Sequence, residues 1–418
     1  MTGRKLAHAR NPFAEFAERA LSTSGPAFYF ERGPSPGRSA RWAIHGFDPE
    51  ERTLWTRPGD PETLQSELRE DSLHRKHRIR VGYVGFDAVG LFEPLLARST
   101  PKGSPFPLAE FHSYDHWKRS EILGRSSSSP PLPLGDLRTG PVKDRATPAT
   151  FGASVERLIE EILDGEAFQV VLAHRRERSL KGTLLPLVDR LRRKERYAYL
   201  YYLRGGRRGE IEIAGASPES VVEVAEGHVA VSPIAGTRPY PPPPSGPRAR
   251  LPLRGDPKEL AEHRMLVDLA RNDIGRVAAT GSVHLSRLEV RVPYSRLEHL
   301  VTRVVGRLAP ERTALDALAA AFPAGTVSGA PKIRATELLR REEGTWRGPY
   351  GGAVGFFQGT RRGEFALAIR SAFATQQKVF TGAGAGIVHA SSPRREWEET
   401  LVKLSAVEGA LVGRPGFR

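Results

Sequence analysis

An eleven-residue run, Phe322–Lys332 (FPAGTVSGAPK), constrains the fold of this chain more than any other stretch. It contains two prolines, Gly325 and Gly329, hydroxyls at Thr326 and Ser328, and one cation at Lys332, with no amphipathic period running through it. Proline removes amide donors and glycine admits positive φ, so the run suits neither a helix interior nor a sheet interior. Such a segment turns a corner or wraps an anion, and the run alone leaves both alternatives open. It is not a phosphate loop, because the Gly-x-x-x-x-Gly-Lys-Ser/Thr spacing is absent.

The chain around it has 418 residues, which implies two or three structural units or one large α/β body. It has no cysteine, which excludes disulfides, thiolate metal sites and a Cys nucleophile. There is no membrane-length apolar run and no signal-peptide apolar segment, so a cytoplasmic protein without a membrane partner is expected. The net charge of +15 suits nucleic acid, a small anionic substrate, or simply an Arg-rich composition. The basic runs Arg175–Arg178, Arg190–Lys194 and Arg204–Arg208 have Glu177, Asp189, Glu195 and Glu210 in or beside them. No zinc-finger, RRM or basic-zipper pattern accompanies them, and no nucleic-acid partner is expected.

Taken in order, Pro12–Leu21 reads as a helix, Ala27–Glu31 and Ala40–Phe47 as strands, Leu64–Leu73 as a helix and Ile79–Leu91 as a buried strand. Residues 124–148 are rich in Ser, Pro and Gly and read as a linker. They separate an N-terminal α/β region, 1–123, from a larger unit, 149–412, followed by a tail, 413–418. In the larger unit Thr150 caps a helix whose face is Val155, Ile159, Ile162 and Leu163, ended by Gly165. The strands Phe168–Ala173, Ala198–Leu203, Glu210–Ala214, Val221–Val224 and His228–Pro233 follow, with a helix at Leu184–Arg193 and a Pro/Arg-rich loop at Pro239–Arg250. Strands alternating with helices indicate an α/β or α+β class.

Two helices carry the charged chemistry. In Asp256–Ala279, Asp256 suits the N-cap and Glu259 either a capping box or a ligand. Glu262 shares a face with Met265, Leu266 and Leu269, and a carboxylate on an apolar face is costly unless it is paired or binds a metal. The C-terminal helix has Ser392 and Pro393 at its start and Glu396, Glu399 and Lys403 on one face. Two Glu-x-x-Glu helices can gather carboxylates around Mg²⁺, although solvated faces, or Glu398 turned inward, explain the same spacing. Between the helices lie His299 in a strand-like run, Tyr350 in GPYGG, Arg370 after the apolar Phe365–Ile369, and Gly382, Gly384 and Gly386 in TGAGAGIV. Amides of the glycines can hold a carboxylate, while packing is the better single explanation of the glycines and a lone His is more often structural than catalytic.

Together these segments resemble the chorismate-utilising enzymes, most closely the anthranilate synthase component I branch. The resemblance covers about residues 148–412 through PIAGTRP at Pro233–Pro239, DPKELAEHRMLVDLARNDIGRV at Asp256–Val277, FPAGTVSGAPKIRATE at Phe322–Glu337, RGPYGGAVGFF at Arg347–Phe357, AIRSAF at Ala368–Phe373, GAGAGIV at Gly382–Val388 and REWEETLVKLSA at Arg395–Ala406. A looser match lies at Val81–Glu93. The resemblance implies a large body of two stacked antiparallel sheets with helices outside, with 149–412 as the catalytic part. It implies Mg²⁺ on Glu262 and Glu399 with Glu259 and Glu396 in support, and a ring carboxylate held by Gly382, Gly384 and Gly386. Tyr350 and Arg370 would hold the enolpyruvyl carboxylate, Thr326 would face the ring, and Lys332 and Lys403 would line the anion-binding end. Glu219 of GASPE is the implied general acid and His299 the implied base. Aminodeoxychorismate synthases carry a lysine where this chain has Ala235, and water-using relatives a lysine base where it has Gln169, so ammonia is the expected nucleophile.

With no cysteine the chain lacks a glutaminase nucleophile, and a separate glutamine amidotransferase subunit is expected, in a heterodimer or heterotetramer. Family members sensitive to tryptophan carry Leu-Glu-Ser and Asn-Pro features. Here those places read Phe30-Glu31-Arg32 and Lys194-Glu195-Arg196-Tyr197, so inhibition by tryptophan is expected to be weak or absent. Aminodeoxychorismate synthase component I is the alternative within the class. An inactive or nucleic-acid-binding relative is the alternative outside it.

Overall fold

The strand Ala27–Arg32 shows how the layers of the fold arise. Side chains alternate along a strand. Phe28 and Phe30 point into a core shared with Trp42, Tyr199, Val81 and Phe356, while Ala27 and Tyr29 point into another shared with Phe13 and Phe16 of the helix Pro12–Ser22 and Leu187 of the helix Leu185–Lys194. The first core lies between two sheets and the second between a sheet and its helices. A third core covers the outer face of the second sheet, with Leu64 and Leu68 of Asp60–His74 and Leu315 and Leu318 of Ala314–Ala321 packed on Phe357 and Phe365. The computed structural model describes residues 11–34, 41–122, 131–194, 196–239, 257–294 and 297–413.

From one edge the first sheet runs Gly329–Ala330, Gln169–Gly182, Lys378–Ile387, Ser371–Ala374, Ile211–Ser217, Tyr199–Gly205, Ala27–Arg32, Trp42–Phe47 and Trp117–Glu121. The second runs Ile234–Pro239, Leu297–Arg307, His228–Val231, Ser220–Ala225, Gly363–Leu367, Ala353–Phe357, Ile79–Val84, Ala109–Tyr114 and Glu51–Trp55. These neighbours pair antiparallel, as expected for a stacked two-sheet body.

Several sequence expectations are corrected. Residues 1–123 are not a separate unit. Ala27–Arg32 pairs with Tyr199–Gly205, and Ile79–Val84 pairs with Ala353–Phe357, so both sheets continue across the expected boundary. The N-terminal strands have a hydrophobic face and open edges, and the larger unit supplies both the facing sheet and the edge partners. The expected linker contributes strands of its own, because Leu137–Thr139 and Lys143–Asp144 pair with Gln169–Gly182. The strand at Ile79 ends at Val84, and Phe86–Ala88 and Val89–Phe92 are helical turns. Thr147 is the N-cap of Pro148–Leu163, and Thr150 closes the capping box from inside the helix. The strand expected at Phe168–Ala173 extends to Gly182, because Lys378–Ile387 pairs along it through the basic run. Residues 240–256, which include most of the Pro/Arg-rich loop and the expected cap Asp256, lie outside the described residues. Among the described residues no helix is long and apolar enough to cross a membrane.

A chain cut to residues 131–418 loses three strands from each sheet. It is expected to lack a cooperative thermal transition by circular dichroism. A soluble fragment that melts cooperatively would restore the two-unit reading.

Candidate active site

The glycine strand Lys378–Ile387 lies against Gln169–Gly182, with Gly382, Gly384 and Gly386 opposite Arg175, Ala173 and Val171. Those three partners turn their polar backbone groups away from the glycines. The Val171 amide donates to Ser328 O at 2.9 Å, the Ala173 amide to Glu343 Oε1 at 2.9 Å, and Arg175 O accepts the Arg145 amide at 3.0 Å. In an antiparallel ladder such positions are the non-bonded pairs, so the glycines direct their own amides and carbonyls to the opposite edge. On that side the neighbouring strand stops, its last pair being Ala372 with Thr381. Gly384 and Gly386 therefore present backbone polar groups beyond the end of the ladder.

Side chains close around this edge. A Cβ at Gly382 would lie 2.6 Å from Cγ of Tyr350, so the ring rests on the strand and no larger residue fits. Burial pushes the Tyr350 phenol up to about 12, which keeps it a donor. Lys403 Nζ donates to Gly384 O at 2.8 Å and pairs with Glu399, one helical turn earlier, at 2.6 Å. Arg370 occupies the left-handed region at φ 53° and donates to Lys403 O. A non-glycine residue held there stores about 1 kcal/mol or more of strain, which the surrounding packing must maintain.

The second carboxylate helix, Pro257–Gly275, reaches the same edge through Gln169. Gln169 Nε2 donates to Glu262 Oε1 at 3.0 Å, and a Cβ at Gly386 would lie 2.5 Å from that nitrogen. Glu262 and Glu399 thus approach neighbouring glycines of one strand, the first by way of Gln169 and the second by way of Lys403. Glu259 and Glu396 sit half-buried one turn before each. Glu398 is 55% exposed and pairs with Arg394, so the inward alternative for it is removed. Among the described residues no three carboxylate or imidazole groups converge on a metal position. Mg²⁺ needs only one or two protein carboxylates when substrate and water supply the other oxygens, and Glu262 and Glu399 fit that donor chemistry.

The hinge run Phe322–Lys332 joins these parts. It makes a 3-10 turn, Gly325–Val327, and a two-residue strand, Gly329–Ala330, paired with Val170 and Gln169. Gly329 has φ 136°, and a Cβ there would lie 2.1 Å from Gln169 O, so only glycine fits. Thr326 Oγ1 donates to Glu219 Oε1 at 3.0 Å. The Glu219 carboxyl is buried, and burial pushes it up to about 8 against the opposing effect of the Thr326 hydroxyl and the Ile234 amide. The run therefore turns a corner, and its hydroxyl bonds a buried acid.

Ala235 is buried on a strand in register with Leu300, beside His299, which is itself buried and opposite Thr237 and Val292. Lys332 is corrected. Its ammonium pairs with Asp273 at 2.8 Å and donates to Ala321 O at 3.3 Å, where it ends the helix Ala314–Ala321, and this buried pairing turns it away from the glycine edge. Sequence reading also passed over Arg347, which donates to Val327 O at 2.6 Å and Val171 O at 2.7 Å and so bolts the hinge to the long strand. Its place in RGPYGG was the available signal. His263, beside Glu262, is buried against Thr302 at 2.6 Å, and burial holds it down at about 4, so it stays neutral.

A sequence profile of chorismate binding enzymes matches residues 25–409. The chain is 38% identical over 446 aligned positions to anthranilate synthase component 1 of Streptomyces coelicolor, covering 96% of this chain and 86% of that protein. It is 43% identical over 275 positions to a 2-amino-4-deoxychorismate synthase of Streptomyces globisporus, covering 65% of this chain and 55% of that one. In three dimensions it resembles anthranilate synthase component I from Streptococcus pneumoniae TIGR4, with a TM-score of 0.76, 29% identity, and coverage of 97% of this chain and all of that one.

Between the ordinary Glu value of 4.5 and about 8, the folded chain holds a proton on Glu219 that the unfolded chain has released. Stability from this group therefore falls as pH rises through that window. Infrared difference spectra are expected to show a protonated carboxyl band lost with a midpoint near pH 8 and absent in Glu219→Gln. Thr326→Val is expected to raise the midpoint, because the hydroxyl favours the carboxylate. A midpoint below the value for a free glutamate would contradict the assignment.

Proposed function

The chain belongs to the chorismate-binding enzyme family, and on that footing we propose that it converts chorismate and ammonia to anthranilate, pyruvate and water, the reaction of an anthranilate synthase component I in tryptophan biosynthesis. The observation that carries this reading is Gln169. A neutral amide, already donating to Glu262, stands where the resemblance places a lysine base in water-using relatives. Ammonia is nucleophilic without such a base. Ala235, itself buried, likewise lacks the amine that aminodeoxychorismate synthases use as a nucleophile.

Ammonia forms the new bond to a ring carbon as the C4 hydroxyl leaves. Hydroxide is a poor leaving group, and Glu219, protonated near neutral pH, gives its proton so that water departs and a carboxylate remains. His299 then takes the ring proton as the enolpyruvyl ether bond breaks, leaving an aromatic ring and enolpyruvate, which becomes pyruvate by taking a proton at its methylene carbon. Tyr350 and Arg370 orient the enolpyruvyl carboxylate, and the Gly384 and Gly386 amides orient the ring carboxylate. Glu262 and Glu399 would hold Mg²⁺, which when bound supplies positive charge beside the ring carboxylate. Glu259 and Glu396 would support it through water.

A glutamine amidotransferase subunit is the proposed source of ammonia, since the chain has no cysteine. A second reading, amination without pyruvate release, rests on the 43% identity to a 2-amino-4-deoxychorismate synthase.

The purified chain with chorismate, Mg²⁺ and ammonium is expected to form fluorescent anthranilate and an equal amount of pyruvate, and to form neither with glutamine alone. Amination without pyruvate would favour the second reading. Glu262→Gln or Glu399→Gln is expected to abolish turnover, and Glu219→Gln to lower kcat by roughly 10²–10⁴-fold. Near-normal rates in the first two would sink the metal assignment.

Tryptophan at micromolar concentration is expected to inhibit weakly or not at all. Glu31 is already held by the Tyr29 hydroxyl at 2.7 Å, the Tyr197 hydroxyl at 2.7 Å and Arg41 at 3.0 Å, and Arg32 pairs with Glu364 at 3.2 Å. Clear inhibition would refute this.

A further inference from the structure

Four cations from distant parts of the chain frame one basin with a volume of about 430 Å³. Lys102 follows the turn Pro94–Ser99, Arg145 follows Lys143–Asp144, Arg175 lies on the long strand Gln169–Gly182, and Arg340 lies on the helix Lys332–Glu343. Among the described residues the remaining lining is neutral, with Thr345 and Trp346 prominent, and no carboxylate faces the space. Convergence from four elements does not arise from the solvated face of a single helix.

Among the described residues the charges in this basin are only partly compensated, with Asp87 and Glu343 acting on both Arg175 and Arg340 from beyond ion-pair distance. Among the described residues, Lys102, Arg175 and Arg340 have no carboxylate within ion-pair distance, whereas Arg145 reaches Glu177 at 3.3 Å. Arg175 and Arg340 are each only 7% exposed, and the Nε of each is buried without a hydrogen-bond partner. A buried cation without an anion is costly, and a buried donor without an acceptor adds to that cost. Yet both guanidinium groups are fixed in place. Arg340 donates to Leu96 O at 2.7 Å and Ser99 Oγ at 2.8 Å, and Arg175 lies 3.4 Å above the Trp346 ring and donates to Trp346 O. Burial and the nearby charge of Arg145 draw Arg175 down to about 10 against the opposing charges of Glu177, Asp87 and Glu343, so it is still charged at neutral pH.

We propose that this basin binds a small oxyanion, a phosphate or a dicarboxylate, between the buried pair Arg175 and Arg340 and the rim pair Lys102 and Arg145. The oxyanion adds countercharge in the basin itself, where among the described residues no carboxylate is within ion-pair distance of Arg175 or Arg340, and arginine forks match its geometry. Behind the basin a second cavity, with a volume of about 230 Å³, shares Arg145, Arg175, Thr345 and Trp346 and continues to Tyr350 and Gly382. The site is therefore next to the candidate active site but built from different charged residues, and its existence does not depend on the reaction assigned above.

The test is calorimetric titration of the full chain, without chorismate or Mg²⁺, with inorganic phosphate and separately with malonate at low ionic strength. Saturable one-to-one binding of at least one anion is expected, weakening as chloride is added. The tighter of the two names the ligand chemistry. Lys102→Gln and Arg145→Gln, both on the exposed rim, should weaken binding and keep the fold. Arg175→Gln should weaken it by about tenfold or more, as the loss of a charge-assisted hydrogen bond does. Arg370→Gln should leave it unchanged. Absence of saturation by either anion, equal affinity in both rim variants, or loss of binding in Arg370→Gln would overturn the proposal.

Discussion

The buried guanidinium of Arg347 holds together the pieces on which the candidate site depends. It donates to Val327 O of the hinge and Val171 O of the long strand, pairs with Glu343 at 2.8 Å, and lies 4.2 Å over the Phe86 ring. Glu343 in turn accepts the Ala173 amide. Together the pair satisfies backbone groups that the long strand turns away from the glycine strand, groups that would otherwise be unpaired in a buried place. The opposite charge of Glu343 offsets the burial that would otherwise draw the Arg347 proton off. Removing one member of such a pair leaves the other charged and buried, at a cost of about 3–5 kcal/mol.

With the long strand pinned on one side, the glycine strand can leave its other side open. That opening is where Tyr350, Arg370, Lys403 and the two carboxylate helices meet. Glutamates around it differ by environment. Glu219 is buried with neutral donors only, and its carboxyl is pushed toward the protonated form. Glu262 and Glu399 are less enclosed and are contacted by an amide and an ammonium. One residue type thus offers an acid in one place and anionic oxygens in another, as differences in solvation allow.

Much of this was legible in the chain. Alternation in FYF and in the apolar strands marks buried faces, and Pro, Gly and small polar residues mark the hinge. Glu262 sits on an apolar helical face, which is visible from i, i+4 and i+7 spacing alone. Other features were not legible because they depend on partners remote in sequence. Lys332 reads as an available cation until Asp273 appears beside it. The N-terminal segment reads as a separate unit until its strands are seen to pair with Tyr199–Gly205 and Ala353–Phe357. A strand's edge partner leaves no periodic mark in its own sequence.

By itself the sequence determined the absence of thiol chemistry and the residue types offered to a substrate, which follow from composition and local periodicity, while its dense motifs carried the resemblance that implied the family and the two-sheet class. Tertiary structure alone decided which of the charged residues are spent on the fold. It buried Lys332 against Asp273, gave Thr326 to Glu219, drew Glu262 and Glu399 to neighbouring glycines, and, among the described residues, left Arg175 and Arg340 without a carboxylate at ion-pair distance. The physical reason is that a charge is tuned by its neighbours within a few ångströms, and those neighbours come from segments distant along the chain.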